Sequence, residues 1–154
     1  MSNDNVHFSS ESNKCETPQD FYNKLNKEFN FTLDPCASPE TAKCDRFYTK
    51  KDNGLSKDWS RDTVFMNPPY GREIKYWIEK AYKESVKGAT VVCLIPARTD
   101  TRYWHSYIFK YASEIRFIKG RLKFGDSNNS APFPSAIIVF NDSANSQKIT
   151  TMDR

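Results

Sequence analysis

The sequence predicts a three-layer α/β domain whose sheet is mainly parallel, with an antiparallel hairpin at one edge. Three observations lead there. Thr90-Val91-Val92-Cys93-Leu94-Ile95 is apolar without alternation, the pattern of a strand covered on both faces. A shorter apolar run at 63–66 precedes it, and between the two Ile74, Trp77, Ile78, Ala81, Tyr82 and Val86 recur at helical spacing. Further on, the apolar runs 115–119 and 136–140 flank a loop at 120–135 that contains Gly and Pro and is too short for a helical crossover. Those two strands are expected to be antiparallel.

In chain order, residues 1–14 are rich in Ser, Asn and charge and read as a polar arm. Thr17-Pro18-Gln19-Asp20 marks a helix start, with Thr17 as N-cap and Pro18 at the first helical position. Phe21, Leu25 and Phe29 line one face of that helix, which is expected to run to about Glu28. Phe31-Thr32-Leu33-Asp34-Pro35 reads as a short strand ended by an acid and a proline. From 36 to 62 periodicity is poor, implying loops with one short element. The helix after Gly71 begins near Glu73 and ends at Gly88, a natural C-cap. Pro96 stops the central strand, and Asp100 or Thr101 caps a helix that buries Trp104, Ile108, Tyr111 and Ala112. The residues from 141 to 154 are polar and read as a frayed tail. The domain proper is therefore expected at 15–140.

A chain of 154 residues suits one domain, and 38% hydrophobic with 27% charged residues is a globular composition. No apolar stretch is long enough to span a membrane, and the N-terminus lacks the apolar core of a secretory signal. The formal net charge of +4 comes from dispersed Lys and Arg, compatible with a polyanionic partner without requiring one. Cys15, Cys36, Cys44 and Cys93 form no C-x-x-C pair, and His7 and His105 are far from them in sequence. Free thiols in a reducing cytoplasm are expected, with neither disulfides nor a metal site.

The chemistry centres on Asn67-Pro68-Pro69-Tyr70, directly after the 63–66 strand. Two prolines fix two φ angles, and each holds the residue before it out of the α region. The result is a stiff spur at a strand's carboxyl end, where open α/β sheets bind ligands. Asn67 offers a side-chain carbonyl and Pro68 a main-chain one, two acceptors suited to a planar exocyclic amine. Tyr70 offers a face for a heterocycle. A rigid proline turn closing a strand is the alternative use of the same residues. Asp34 ends another strand and is followed by Pro35, Cys36 and Ala37, but without a Gly-x-Gly turn. Asp58 is a further acid within reach of a ribose or an adenine edge. Arg98 follows the central strand at its ligand end. Arg121, Lys123, Asn128 and Asn129, flanked by Phe124 and Phe133, suit contact with a DNA backbone or the neighbourhood of an extruded base.

Thr17-Pro18-Gln19, Leu33-Asp34-Pro35-Cys36-Ala37 and Asn67-Pro68-Pro69-Tyr70 follow the order of amino-group DNA methyltransferases whose cofactor motif precedes the catalytic one. With Cys44-Asp45-Arg46-Phe47-Tyr48-Thr49, Gly54-Leu55, Asp58-Trp59, Pro96-Ala97-Arg98-Thr99-Asp100-Thr101, Gly120-Arg121-Leu122-Lys123-Phe124-Gly125 and Ala131-Pro132-Phe133-Pro134-Ser135, the chain resembles the phage-type (Dam-like) DNA N6-adenine methyltransferase family over roughly residues 7–140. The resemblance implies a Rossmann-like S-adenosylmethionine-dependent methyltransferase fold. It also implies transfer of a methyl group from S-adenosylmethionine to adenine N6 in DNA, with the target base flipped out. Asn67, Pro68 and Tyr70 would hold and stack the adenine, with Pro69 stiffening the turn. Thr17 and Pro18 would close over the methionine part of the cofactor. Asp34, Pro35, Cys36 and Ala37 would flank it, and Asp58 would lie near its adenine. Cys15 stands where relatives often place Trp, and the stretch from Asp34 to Asn67 is shorter than in larger methyltransferases.

The implied setting is the cytoplasm of a bacterial cell, with the protein encoded by a phage or prophage. With no room for a separate target-recognition domain, sequence specificity is expected to be short or loose unless a homodimer or another partner supplies more. Methylation of cytosine N4 or of a protein glutamine amide uses the same pair of acceptors, and an inactive DNA-binding relative is the rival from another class.

Overall fold

The apolar runs assemble into one sheet of β1 (Thr63–Met66), β2 (Thr90–Pro96), β3 (Glu114–Lys119), β4 (Ser135–Phe140) and β5 (Lys148–Asp153), in the spatial order β1-β2-β4-β3-β5. The structure, a computed structural model, describes residues 16–125, 129–142 and 146–154; the expected arm at 1–14 and Cys15 lie outside them. β1 pairs with β2 in parallel, Val64 opposite Val91, and β3 pairs in parallel with β5. β4 runs antiparallel to both of its neighbours. Four of the five strands thus point the same way, and β3 with β4 forms the expected antiparallel pair.

That pair is not the sheet's edge, however, because the expectation of a frayed tail is corrected. Residues 148–153 form β5, in register with β3 from Glu114 opposite Lys148 to Lys119 opposite Asp153. Backbone pairing recruits the segment rather than apolar burial: Ile149 is left 60% exposed. An open edge of β3 presents a row of unpaired N–H and C=O groups, which even a polar segment can satisfy. Gln147 anchors its start, donating to the carbonyls of Ile108, Phe109 and Ala112.

Alternation along the strands sends side chains to two separate cores. Val64, Met66, Cys93 and Ile95 pack with Ile74, Trp77, Ile78 and Ala81 of helix α2 (Ile74–Val86). Phe65, Val92, Leu94 and Ile137 pack with Phe21, Tyr22 and Leu25 of helix α1 (Gln19–Phe29). Each such side chain contributes about 1.5–3 kcal/mol by leaving water. The three layers follow directly from this two-sided burial.

Local departures have local causes. Val86, on the helical repeat, is 53% exposed in the last turn of α2, just before the left-handed Gly88 (φ +127°). The helix after β2 winds as a π-helix at Trp104–Ile108, burying both ends of that span, and closes with a last turn, α3 (Phe109–Tyr111). Tyr111, expected in the core, lies instead half-exposed and stacked on Tyr82 at 4.2 Å. The strand expected at 31–35 contracts to two bridges, Leu33 with Val64 and Asp34 with Phe47, because Pro35 cannot donate to a ladder. No helix among the described residues is long and apolar enough to cross a membrane.

Candidate active site

β1 ends at Met66, and the spur leaves the sheet at the carboxyl ends of β1 and β2. Pro68 is buried, while Asn67, Pro69 and Tyr70 are partly exposed. The Asn67 amide is held from both sides. Its Nδ2 donates to Thr17 Oγ1 at 3.0 Å, and its Oδ1 accepts from the Tyr70 hydroxyl at 2.8 Å. That hydroxyl also lies 3.3 Å from the Leu94 carbonyl, so the ring is tethered to β2. The Tyr70 ring meets Phe133 edge-on, centroids 5.6 Å apart at 81°, and Phe124 at 6.3 Å and 80°. The Arg98 guanidinium lies 5.4 Å from the Phe133 ring centre. The expected wedge aromatics and Arg98 therefore join the spur in one aromatic corner.

Thr17 is not the N-cap it was expected to be. Pro18 takes that position, with no side-chain cap bond, and α1 begins at Gln19. The Thr17 side chain is 3% exposed and turned toward Asn67 instead. Its segment is pinned on both sides: the Glu16 carbonyl accepts from Gly125 N–H at 2.9 Å, and the Pro18 carbonyl from Tyr22 N–H at 3.0 Å.

Beside the spur opens a cleft of about 1360 Å³. Thr17, Asn67, Pro69 and Tyr70 line one part of it and Asp34, Pro35, Cys36 and Ala37 another. Asp34 is 5% exposed, and burial pushes its carboxyl up to about 6, against the pull of the Lys43 and Cys36 N–H groups it faces. The Lys43 N–H donates to Asp34 Oδ2 at 3.0 Å. Burial likewise raises the Cys36 thiol well above its ordinary range, so it serves as a neutral wall group rather than a nucleophile. Among the described residues no cluster of His, Cys, Asp or Glu has the makings of a metal site.

The cleft also takes in residues that the sequence reading missed. Lys43 reaches Glu16 Oε2 at 3.3 Å and Gln19 Oε1 at 3.0 Å across the mouth of the cleft. Arg72 and Glu73 follow the spur directly, and Gly54, Leu55 and Trp77 complete the floor. Glu16 had a signal, since it immediately precedes Thr17-Pro18; Lys43 lies in a loop without periodicity and had none.

Other expected residues are not brought here. Asp58 is corrected: it lies near the amino end of β1, accepts from Ser60 N–H at 2.9 Å and pairs with Lys87 at 3.5 Å. The turn bond to Ser60, with Lys87 nearby, holds its exposed carboxyl below the usual range. Pro18 and Pro68 stand behind the lining rather than on it. Arg121 and Lys123 are exposed on the 120–135 loop, Arg121 donating to the Ala131 carbonyl at 3.2 Å, and Asn129 is exposed on the same loop. Asn128 lies outside the described residues.

The profile of a family described as DNA N-6-adenine-methyltransferase (Dam) matches residues 6–153. A DNA N-6-adenine-methyltransferase of Haemophilus phage HP1 is 27% identical over 136 residues, covering 83% of this chain and 78% of its own. One of Escherichia phage T1 is 31% identical over 93 residues, 60% of this chain and 38% of that protein. A solved structure from Agrobacterium tumefaciens, titled a predicted O-methyltransferase, superposes at a TM-score of 0.41 with 16% identity over 90% of this chain and 64% of its own. That likeness is too loose to bear on the fold, which rests on the sheet itself. On a profile match that runs through the spur, the Asp34 segment and all five strands, the chain belongs to the family of adenine-specific DNA methyltransferases.

Proposed function

We propose that the chain methylates N6 of an adenine flipped out of DNA, with S-adenosylmethionine as the methyl donor. The observation that carries this reading is one juxtaposition: the Asn67 amide and Tyr70 open on the same cleft as the buried Asp34 carboxyl. At about 1360 Å³ the cleft exceeds the roughly 300–1,000 Å³ usual for a single small ligand, which suits a cofactor and a base side by side. The lining fits that donor. Glu16, Asp34 and Glu73 supply acceptors for an ammonium and a ribose diol, Lys43 and Arg72 cations for a carboxylate, and Leu55 and Trp77 apolar surface for a purine.

When bound, the donor supplies a methyl group on a sulfonium, which leaves as a neutral thioether. The chain's own work is to present the amine. Asn67 Oδ1 and the Pro68 carbonyl accept its two hydrogens and draw the nitrogen lone pair out of conjugation with the ring, a matter of positioning and fixed dipoles. For this the Tyr70 hydroxyl must yield Oδ1 to the incoming amine. The Tyr70 ring then stacks on the base, beside Phe124 and Phe133. Extruding a base costs a few kcal/mol, and stacking on an aromatic returns about 1–3 kcal/mol. Arg98, Arg121, Lys123 and Asn129, with Asn128, would meet the backbone around it. Such a site reads little sequence, so short or loose specificity is expected. The setting is the cytoplasm of a bacterial cell carrying the phage or prophage gene.

Transfer of tritiated methyl from S-adenosylmethionine tests this, with duplex DNA, adenine-free duplex and glutamine-bearing protein as parallel acceptors. Incorporation only into adenine-containing DNA is expected. Label in the adenine-free duplex or in the protein contradicts the reading.

A further inference from the structure

We infer that Thr17 is a positioning residue, one that fixes which way round the catalytic amide of Asn67 faces; the inference rests on the function proposed above. An asparagine amide is nearly symmetric in shape but opposite in chemistry at its two ends, one a double donor and the other an acceptor. Turned one way, Asn67 offers an oxygen to a substrate amine. Turned the other, it offers N–H groups to N–H groups and repels it. Something in the site must hold the productive orientation.

Thr17 is placed to do this. Its Oγ1 accepts from Asn67 Nδ2 at 3.0 Å, leaving Oδ1 on the Tyr70 side, 2.8 Å from that hydroxyl. When the substrate amine displaces the Tyr70 hydroxyl, the hold from that side is gone and Thr17 keeps the amide in place. Three features make it a firm anchor. The residue is 3% exposed, so water does not compete for its hydroxyl. Its neighbours are tied to two other parts of the fold, Glu16 to Gly125 and Pro18 to Tyr22. Its side chain also forgoes the helix cap that its sequence position invites, since α1 starts without any side-chain cap bond. The contact joins residues 50 positions apart, bringing the start of α1 to the end of β1.

The role differs from cofactor contact, which the Thr-Pro sequence by itself suggests, and the two make opposite predictions. Thr17→Val keeps the shape and removes the acceptor; Thr17→Ser keeps the acceptor and removes only a methyl group. The experiment measures kcat and KM for an adenine-containing duplex, and the Kd of S-adenosylmethionine by calorimetry, for wild type and both variants. A thermal melt of each variant accompanies them. Thr17→Val is expected to lower kcat by roughly 10- to 100-fold, the scale of a small misplacement in a reacting geometry. Its cofactor Kd should stay within about twofold, and Thr17→Ser should restore kcat to near wild type, following the returned acceptor.

An unchanged kcat in Thr17→Val overturns the inference. So does a raised cofactor Kd with kcat intact at saturating cofactor, which assigns Thr17 to the cofactor. A kcat loss that Thr17→Ser shares, or that only a lowered melting temperature accompanies in both variants, also overturns it and marks a packing role. Wild-type protein that transfers no methyl to DNA removes the proposed function, and the inference falls with it.

Discussion

At the scale of single residues, the site is a set of polar groups whose partners are already chosen. Tyr70 does two things at once, closing the acceptor of Asn67 with its hydroxyl and presenting a ring to the aromatic corner. The two separate by substitution. Tyr70→Phe keeps the ring and opens Oδ1, so kcat/KM on DNA should stay within about tenfold of wild type, whereas Tyr70→Ala loses the stacking face and should fall by 10-fold or more, about the 1–3 kcal/mol of one stacked base. Steady-state kinetics on one duplex checks both.

Asp34 presents the opposite balance, a residue held at a cost to the fold. Its carboxyl is raised to about 6 in the folded protein from 3.8 by burial, so the folded state holds that proton more tightly than the unfolded chain. Its contribution to stability is therefore greatest at low pH and declines as pH rises from about 4 to about 6. Asp34→Asn keeps an acceptor for Lys43 N–H and removes the buried charge. The variant should be more stable at pH 7.5, by roughly 1–3 kcal/mol, and lose the wild type's decline between pH 4 and 6. If Asp34 also serves the donor, its affinity for S-adenosylmethionine should drop at the same time. Melting curves at pH 4.5 and 7.5, with and without S-adenosylmethionine, read all of this.

What the sequence disclosed at this scale follows from local constraint. Asn67, Pro69 and Tyr70 could be placed because two prolines leave the spur almost no conformational choice. Asp58 could not, because an acid two residues before a serine can close its own turn as easily as reach a ligand, and here it does the former. Thr17 satisfied every local rule for a helix cap, and only a contact 50 residues away takes its side chain elsewhere. Lys43 shows the same limit, since nothing in its neighbours' sequence tells of Glu16 and Gln19 across the cleft.

Among the elements, long periodic ones were legible and short ones were not. β1, β2 and α2 emerge close to where their apolar patterns put them, because each buries a face that no other arrangement hides. β5 has no such pattern. It is held by a backbone ladder to β3, and a ladder leaves no mark in the side chains. The 3-10 turn Gly54–Ser56 is another element fixed by tertiary contact, since a Cβ on Gly54 would stand 2.2 Å from the Pro35 carbonyl oxygen. Gly54→Ala should therefore push apart the cleft floor and the Pro35–Ala37 wall. A loss of about 1–3 kcal/mol is expected from overpacking alone, with weakened S-adenosylmethionine binding beside it. Urea unfolding together with calorimetry checks the pair; an unchanged midpoint with full cofactor binding would mean the two segments part without strain.

For the molecule as a whole, the three-layer order was legible and the strand order was not. The apolar patterns prescribed two cores around one sheet, and the structure has them, one under α1 and one under α2. Placing β4 between β2 and β3 depends on long-range pairing that no local pattern encodes. This topology gathers the ends of β1 and β2, the start of α1 and the 120–135 loop around a single cleft, so the Thr17, Asn67 and Tyr70 groups meet although far apart in sequence. The central claim is that Asn67 presents an adenine amine there. The most direct measurement is mass spectrometry of nucleosides from duplex DNA incubated with S-adenosylmethionine and either the wild type or Asn67→Ala. The account predicts N6-methyladenine as the sole new nucleoside with the wild type, and a loss of about 100-fold or more with Asn67→Ala, the scale for removing one fixed hydrogen-bonding group from a transition state. N6-methyladenine formed at the wild-type rate by Asn67→Ala, or N4-methylcytosine in its place, would contradict it.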